Sequence, residues 1–342
     1  NSDNSVIKPE LSMFVDQQGV MTHGSLNAGK ISVHQVQARD FNPFSVPFIE
    51  PKNLKSLNPT KKFDATSEKN ALLFLKQNTL NNVMEFSLHP NQNLFASTSY
   101  LPWRGFWWPR KNMPMIKPLL KYDNYVTAHS GTNPGTVAWE QKNHAYHGVG
   151  WSGHCNGWAA SAILRSEPKI PRTDPTTGIT FSVTDQKGLL AEADYCVSAA
   201  FYGNRNRGAG NNGDIRPELF HKTILYYIDT LKKPLAMDYH SSSSVDNHII
   251  TAYKMQMTQT APQTFNVVAT LNVHRYDKTR IEIPGIAPIY IRIYKYTLKT
   301  DTAGNPIGGS WISDNPDFMW SPLSTSHCQN IDETWLDQIL NM

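Results

Sequence analysis

Cys155 stands in the run Trp151-Ser-Gly-His-Cys-Asn-Gly-Trp-Ala-Ala-Ser-Ala-Ile-Leu164, where a glycine-containing approach meets a small-residue, tryptophan-bearing stretch. Cys155, Ala159, Ala162 and Ile163 recur at helical spacing. That spacing puts the sulfur in the first turn of a helix, where unpaired backbone N–H groups point outward. The helix dipole there favours thiolate over thiol, which is the chemistry of a cysteine nucleophile. The competing expectation is a buried, inert cysteine, the commonest fate of a free thiol.

A thiol nucleophile needs a base within hydrogen-bond reach, and imidazole titrates near neutrality. Of twelve histidines, His248 has the best setting, in Val245-Asp-Asn-His-Ile-Ile-Thr-Ala-Tyr253, a polar approach opening a β-branched strand. A third group should orient the imidazole. Thr270, Asn272 and His274 share one strand face by period-two alternation. Asn272 is the first choice and Asp277 the reserve. The oxyanion needs two donors. The Cys155 backbone N–H is one, the Trp151 indole or a loop amide is the expected second, and Asn156 and Trp158 complete the oxyanion or cleft set. His221 reads as structural. His144, His147, His154 and Cys155 offer metal-ligand types, but their spacings match no zinc signature, so no metal site is expected.

The elements that must position these groups change character along the chain. Residues 1–83 are polar and weakly periodic and read as an N-terminal accessory or pro-like region. Residues 84–342 read as the catalytic domain. It opens on Leu101-Pro-Trp-Arg-Gly-Phe-Trp-Trp-Pro109, an aromatic cluster expected as core or cleft wall. Residues 128–150 read as an irregular approach loop. Helices are expected from about Gln186 to Phe201 and from Pro217 to Leu231, with Pro217 in an early helical position. Segments 234–239, 248–253, 265–273 and 289–298 read as antiparallel strands. Helices first and strands after make an α+β domain.

Composition narrows the function. The chain has 342 residues, 39% of them hydrophobic, with nine Trp and 14 Tyr. That is enough for a sizeable core. A formal net charge of +4 with no basic block argues against a nucleic-acid partner. No apolar run reaches the roughly 18 residues of a membrane span. The first residues show no signal-peptide pattern, and the start at Asn1 rather than Met suits a processed or trimmed chain. The composition has the flavour of a secreted microbial protein. Three cysteines allow one disulfide, Cys196 with Cys328 if Cys155 stays reduced.

Four motifs, in order, resemble the transglutaminase elicitor family of oomycete cell-wall proteins and bacterial relatives. They are Pro102-Trp-Arg-Gly-Phe-Trp-Trp-Pro109, the Gly153–Pro168 nucleophile segment, Val245–Tyr253, and Tyr294–Trp311 followed by Pro316-Asp-Phe-Met-Trp320. The resemblance spans about residues 84–322. It implies a papain-like fold related to the Mac family of bacterial cysteine proteases, a Cys-His-based triad, and protein-glutamine γ-glutamyltransferase activity. The substrates would be proteins with accessible Gln and Lys. Papain-type enzymes carry a glutamine oxyanion donor six residues before the cysteine. Val149 stands there in this chain. No cofactor is assigned, and a dependence on Ca2+ stays open. An aromatic-walled cleft, with Trp103, Trp107, Trp108, Trp158 and Trp311 as candidates, would favour an amine over water. A cysteine peptidase, a glutamine deamidase and a catalytically silent recognition module are the alternatives.

Overall fold

The computed structural model describes residues 12–15, 20–27, 30–37 and 92–342, the last span without 198, 204–213, 243 and 323–329. Strands β1 (Ser12–Val15), β2 (Val20–Asn27) and β3 (Lys30–Gln37) form an antiparallel meander inside the region where the sequence suggested no element. The remaining elements are β4 (Gln92–Ser97), α1 (Ile116–Ser130), α2 (Thr136–Asn143), α3 (Cys155–Leu164), β5 (Arg172–Thr173), β6 (Thr180–Phe181), α4 (Val183–Ala193), β7 (Ala199–Gly203), α5 (Pro217–Ile224), β8 (Leu235–Asp238), β9 (Asn247–Ala261), β10 (Thr264–His274), β11 (Ile289–Thr300), β12 (Pro306–Trp311), β13 (Phe318–Pro322) and α6 (Glu333–Leu340). The combination of helices and an antiparallel sheet agrees with the α+β expectation.

The main sheet runs β12-β11-β10-β9-β8-β13-β7, and every pairing in it is antiparallel. β9 is long enough to be shared along one edge. Its start pairs with β8, from Asp238↔Asn247 to Leu235↔Ile250, and its far half pairs with β4. Because side chains alternate across a strand, the sheet feeds two cores. Tyr202, Phe220, Tyr227, Tyr253, Tyr294 and Tyr296 fill one face under α5. Trp158, Ile163, Leu190, Ile249 and Trp320 fill the other, under α1, α3, α4 and α6.

Local chemistry explains where the helices depart from the sequence expectation. α4 starts at Val183 because Ser182 and Asp185 form a reciprocal capping box. It ends at Ala193 instead of reaching Phe201, since residues 199–203 pair as a strand with β13. α2 lies inside the expected loop. Its first-turn donors, the Thr136 and Val137 N–H groups, are accepted by the Asp123 carboxylate of α1 at 3.0 and 3.2 Å, so its cap comes from another helix. α5 opens on Pro217 as expected and passes into a π-helical turn, Leu225–Thr230.

Every residue of α3 except Asn156 is buried, which marks a core helix rather than an amphipathic surface one. Gly157 is required by proximity. A Cβ there would stand 1.9 Å from the Ala191 carbonyl oxygen, so the bare backbone lets α3 lie directly on α4. The aromatic segment wraps the same helix end to end. The Trp158 indole donates to the Trp103 carbonyl at 3.1 Å, the Trp103 indole donates to the Arg165 carbonyl at 2.9 Å, and Tyr100 Oη donates to the Ile163 carbonyl at 2.8 Å. At its C-terminal end Arg165 forks onto both Asp194 oxygens, at 2.6 and 2.8 Å, and also holds Glu333.

Candidate active site

Cys155 is the first residue of α3 and a free thiol, 6% exposed. Cys196 is disulfide-bonded, and Cys328, its expected partner, lies outside the described residues. The sulfur sits in a cleft of about 550 Å³ whose walls include Arg110, Trp151, Tyr195, Asn247, Phe318 and Trp320.

The side chain in contact with the sulfur is that of Asn247, whose Nδ2 donates to Sγ at 3.4 Å. Its orientation is set by its other end. The Trp320 indole N–H can only donate, and it donates to Asn247 Oδ1 at 2.8 Å, so the amide nitrogen must face the sulfur. The Pro316–Trp320 motif thereby acquires a physical task. Burial pushes the Cys155 thiol above its ordinary range. The side-chain and backbone hydrogen bonds of Asn247 pull it down, while Asp246 and Asp238 push it up again. The balance is upward, opposite to the expectation from the helix dipole, because a buried sulfur facing two carboxylates loses more than the first turn returns.

His248 is the next residue on β9, so its side chain leaves the opposite face of the strand. Its Nδ1 hydrogen-bonds the Tyr290 hydroxyl, its ring stacks on Tyr239 at 4.5 Å, and its Nε2 lies 3.3 Å from Asp246 Oδ1. No hydrogen bond joins it to Cys155. Tyr276 stands beside the imidazole, with ring centroids 6.0 Å apart. Burial raises its phenol first, and the charges of Asp246 and Cys155 both add to the rise, as does a hydrogen bond to Asp246. Asn272 does not reach the imidazole, whose two nitrogens face Tyr290 and Asp246. On β10 it pairs with Ala252, on the face that alternation gives Thr270 and His274 as expected, next to the point where β9 carries an extra residue, Thr251. His274 instead holds the Ala287 carbonyl and Thr251, and Asp277 caps Thr279 at 2.9 Å.

The remaining sequence candidates divide. Trp151 lines the cleft. Asn156 lines it too, but its amide donates to the Tyr195 carbonyl at 2.9 Å. Trp158 is fully buried core. Trp103 and Trp108 are core as well, Trp107 packs on Tyr276, and Trp311 packs on Phe220 in the opposite core. The aromatic wall of the cleft is therefore Trp151, Tyr195, Phe201, Phe318 and Trp320. Asn247, Trp320 and Tyr276 were not among the site residues expected from sequence. The one local signal was the adjacency of Asn247 to His248, since strand alternation presents only one of two neighbours to a given face.

Behind the nucleophile lies a closed charged cluster. His154 donates Nδ1–H to the Trp108 carbonyl at 3.0 Å, and its Nε2 lies 2.8 Å from Glu192 and 3.3 Å from Glu140. His144 Nδ1 is 2.5 Å from the other Glu140 oxygen. Burial opposes a charge on His154, but the two carboxylates overcome it and raise its pKa to about 10.

Residues 128–277 match the family model for the transglutaminase elicitors. The resemblance to this family is thus borne out over a stretch that holds Cys155, Asn247 and His248 and two of the four motifs. The fold is similar to the crystal structure of the GP42 transglutaminase from Phytophthora sojae, with a TM-score of 0.58 and 18% identity, covering 83% of this chain and 98% of that one. No curated protein matches the chain. Among the described residues no helix is long and apolar enough to cross a membrane.

Proposed function

We propose that the chain is a protein-glutamine γ-glutamyltransferase working through a thioester on Cys155. The observation that carries this is a free thiol at a helix N-terminus, on the wall of a cleft, with an oriented amide donor on its sulfur, inside the family-matching segment. In this reading Sγ loses its proton and attacks the carboxamide carbon of a protein-bound glutamine. The collapsing intermediate expels ammonia, which takes a proton, and leaves the acyl group on sulfur. A lysine amine then attacks the thioester, loses its proton and regenerates the thiol.

Because the resting thiol is held in its protonated form, removal of that proton is the step that needs help. Tyr276, whose ring lies 6.0 Å from that of His248 and whose phenol feels the charges of both Cys155 and Asp246, supports a relay from Cys155 towards Asp246 and His248. His248 keeps the role of base in this proposal, reached through its neighbours. The amide of Asn247, already on the sulfur, is placed to donate to an oxyanion formed one bond away, together with the Cys155 backbone N–H. Trp151, Phe318 and Trp320 would desolvate the thioester and favour the amine over water.

The test is incubation with casein and a fluorescent primary amine under reducing conditions, with and without Ca2+. Covalent labelling that vanishes in Cys155→Ala is the expected result. Ammonia release without labelling would make the protein a deamidase, and new chain termini would make it a peptidase.

A further inference from the structure

We propose that Glu140, His144, His154 and Glu192 form a binding site for one divalent transition-metal ion of the Zn2+ type, directly behind the nucleophile. One ligand atom from each of the four lies within 4.8 Å of all the others, and all four residues are buried. They come from three elements. Glu140 and His144 share a face of α2 and its C-terminal cap, His154 is the N-cap of α3, and Glu192 sits in the last turn of α4.

Three features separate this cluster from an ordinary buried ion-pair network. His154 Nε2 and Glu192 Oε2 are 2.8 Å apart, yet neither has an aligned hydrogen bond. Both side chains are almost wholly buried, at 1% and 0% exposure. Both atoms belong to the set of four that one ion could reach together. The outer contacts are those that ligands need. His154 donates its other nitrogen to the Trp108 carbonyl, which leaves Nε2 as the free lone pair once deprotonated, and the Asn330 amide donates to Glu192 Oε1 at 2.5 Å. The donor set also balances: a doubly charged cation neutralises two carboxylates while both imidazoles stay neutral.

Two imidazoles with two carboxylates suit Zn2+, Mn2+ or Co2+ and not Ca2+, which takes oxygen ligands only. No zinc-signature spacing marks this set in the sequence, where His144, His147 and His154 lie close to the thiol. His147 lines the cleft instead, and the glutamates that complete the set are distant in sequence. The ion would clamp α2 and α4 onto the residue preceding Cys155, a positioning role independent of the transferase proposal.

The experiment uses the full chain, purified without chelator, with metal counted by elemental mass spectrometry and Co2+ exchange followed by visible absorption. One equivalent of transition metal per chain is expected, with a melting temperature that falls on chelation and recovers with Zn2+ but not Ca2+. Glu192→Gln should abolish stoichiometric retention, and Asn330→Leu should weaken affinity by about 10- to 100-fold. His147→Ala should retain the ion. Wild-type protein that is folded, holds no metal and shows no melting shift with added Zn2+ would overturn the proposal, whatever the variants do. Equal metal content in wild type and Glu192→Gln would overturn it too.

Discussion

The two faces of the main sheet are built from different physics. Under α5, aromatic and aliphatic side chains pack with few charges, and His221, buried among them, is held neutral by burial and the neighbouring Lys222, with its pKa lowered to about 3. Under α3, buried charges recur: Arg165 with Asp194 and Glu333, Lys187 with Glu167, and the His154 cluster with Glu140 and Glu192. Buried ion pairs offset their own desolvation only when geometry is good, so they add little net stability, but removing one partner is costly. The lesson is a division of labour. The apolar face stabilises the sheet, and the charged face fixes the helix that carries Cys155.

The comparison breaks most visibly if large destabilisations on either face act alike on the thiol. Arg165→Ala and Phe220→Ala should each cost about 3–5 kcal/mol in chemical denaturation. Only Arg165→Ala should also change the rate of Cys155 alkylation in the folded fraction, since Arg165 holds the end of α3. Equal alkylation changes in both would erase the distinction.

Within the charged face, Asn247→Ala removes the donor from the sulfur and strands the Trp320 indole. Turnover should drop by about 10²–10³-fold if the amide serves the oxyanion, with alkylation of Cys155 slowed because its thiolate loses a hydrogen bond. Unchanged turnover with slowed alkylation would restrict Asn247 to tuning the thiol.

The smallest effect concerns acid stability. Burial lowers His274 to about 4, against a bond to the Ala287 carbonyl that pulls it back, and Thr251 Oγ1 lies 2.9 Å from its other nitrogen. With Nδ1 donating, that nitrogen accepts from Thr251, which requires the neutral ring. A folded-state pKa below the unfolded value near 6.5 means the native state binds fewer protons between those values. The stabilising contribution is therefore full above about pH 6.5 and lost as pH falls toward 4. From the shift, the loss at His274 is roughly 3 kcal/mol. Denaturation at about pH 7 and about pH 4 should show a shallower decline in His274→Gln than in wild type. Parallel declines would mean that His274 titrates normally inside the fold.

Much of the fold was legible. Helical spacing from Cys155 to Ile163 marked α3, Pro217 marked the start of α5, and β-branched runs marked β8 to β11. What escaped depended on partners far along the chain. α2 needs the Asp123 cap, β7 needs β13, and β13 with β4 completes a sheet whose first recognisable strands lie elsewhere. The site divides in the same way. A thiol at a helix start was readable, as was the importance of the Val245–Tyr253 segment, but which of its residues meets the sulfur was not.

From its residues alone the protein was committed to a cysteine at the head of a buried helix, because helix propensity, small-residue packing and spacing act over a dozen neighbours. Only the folded arrangement decided that Asn247 faces the sulfur while His248 faces Tyr290. That choice is the phase of a two-residue alternation, set by the pairing of Asp238 with Asn247 and Met237 with His248. The phase of a strand is fixed by its register with another strand, and no stretch of sequence carries that information by itself.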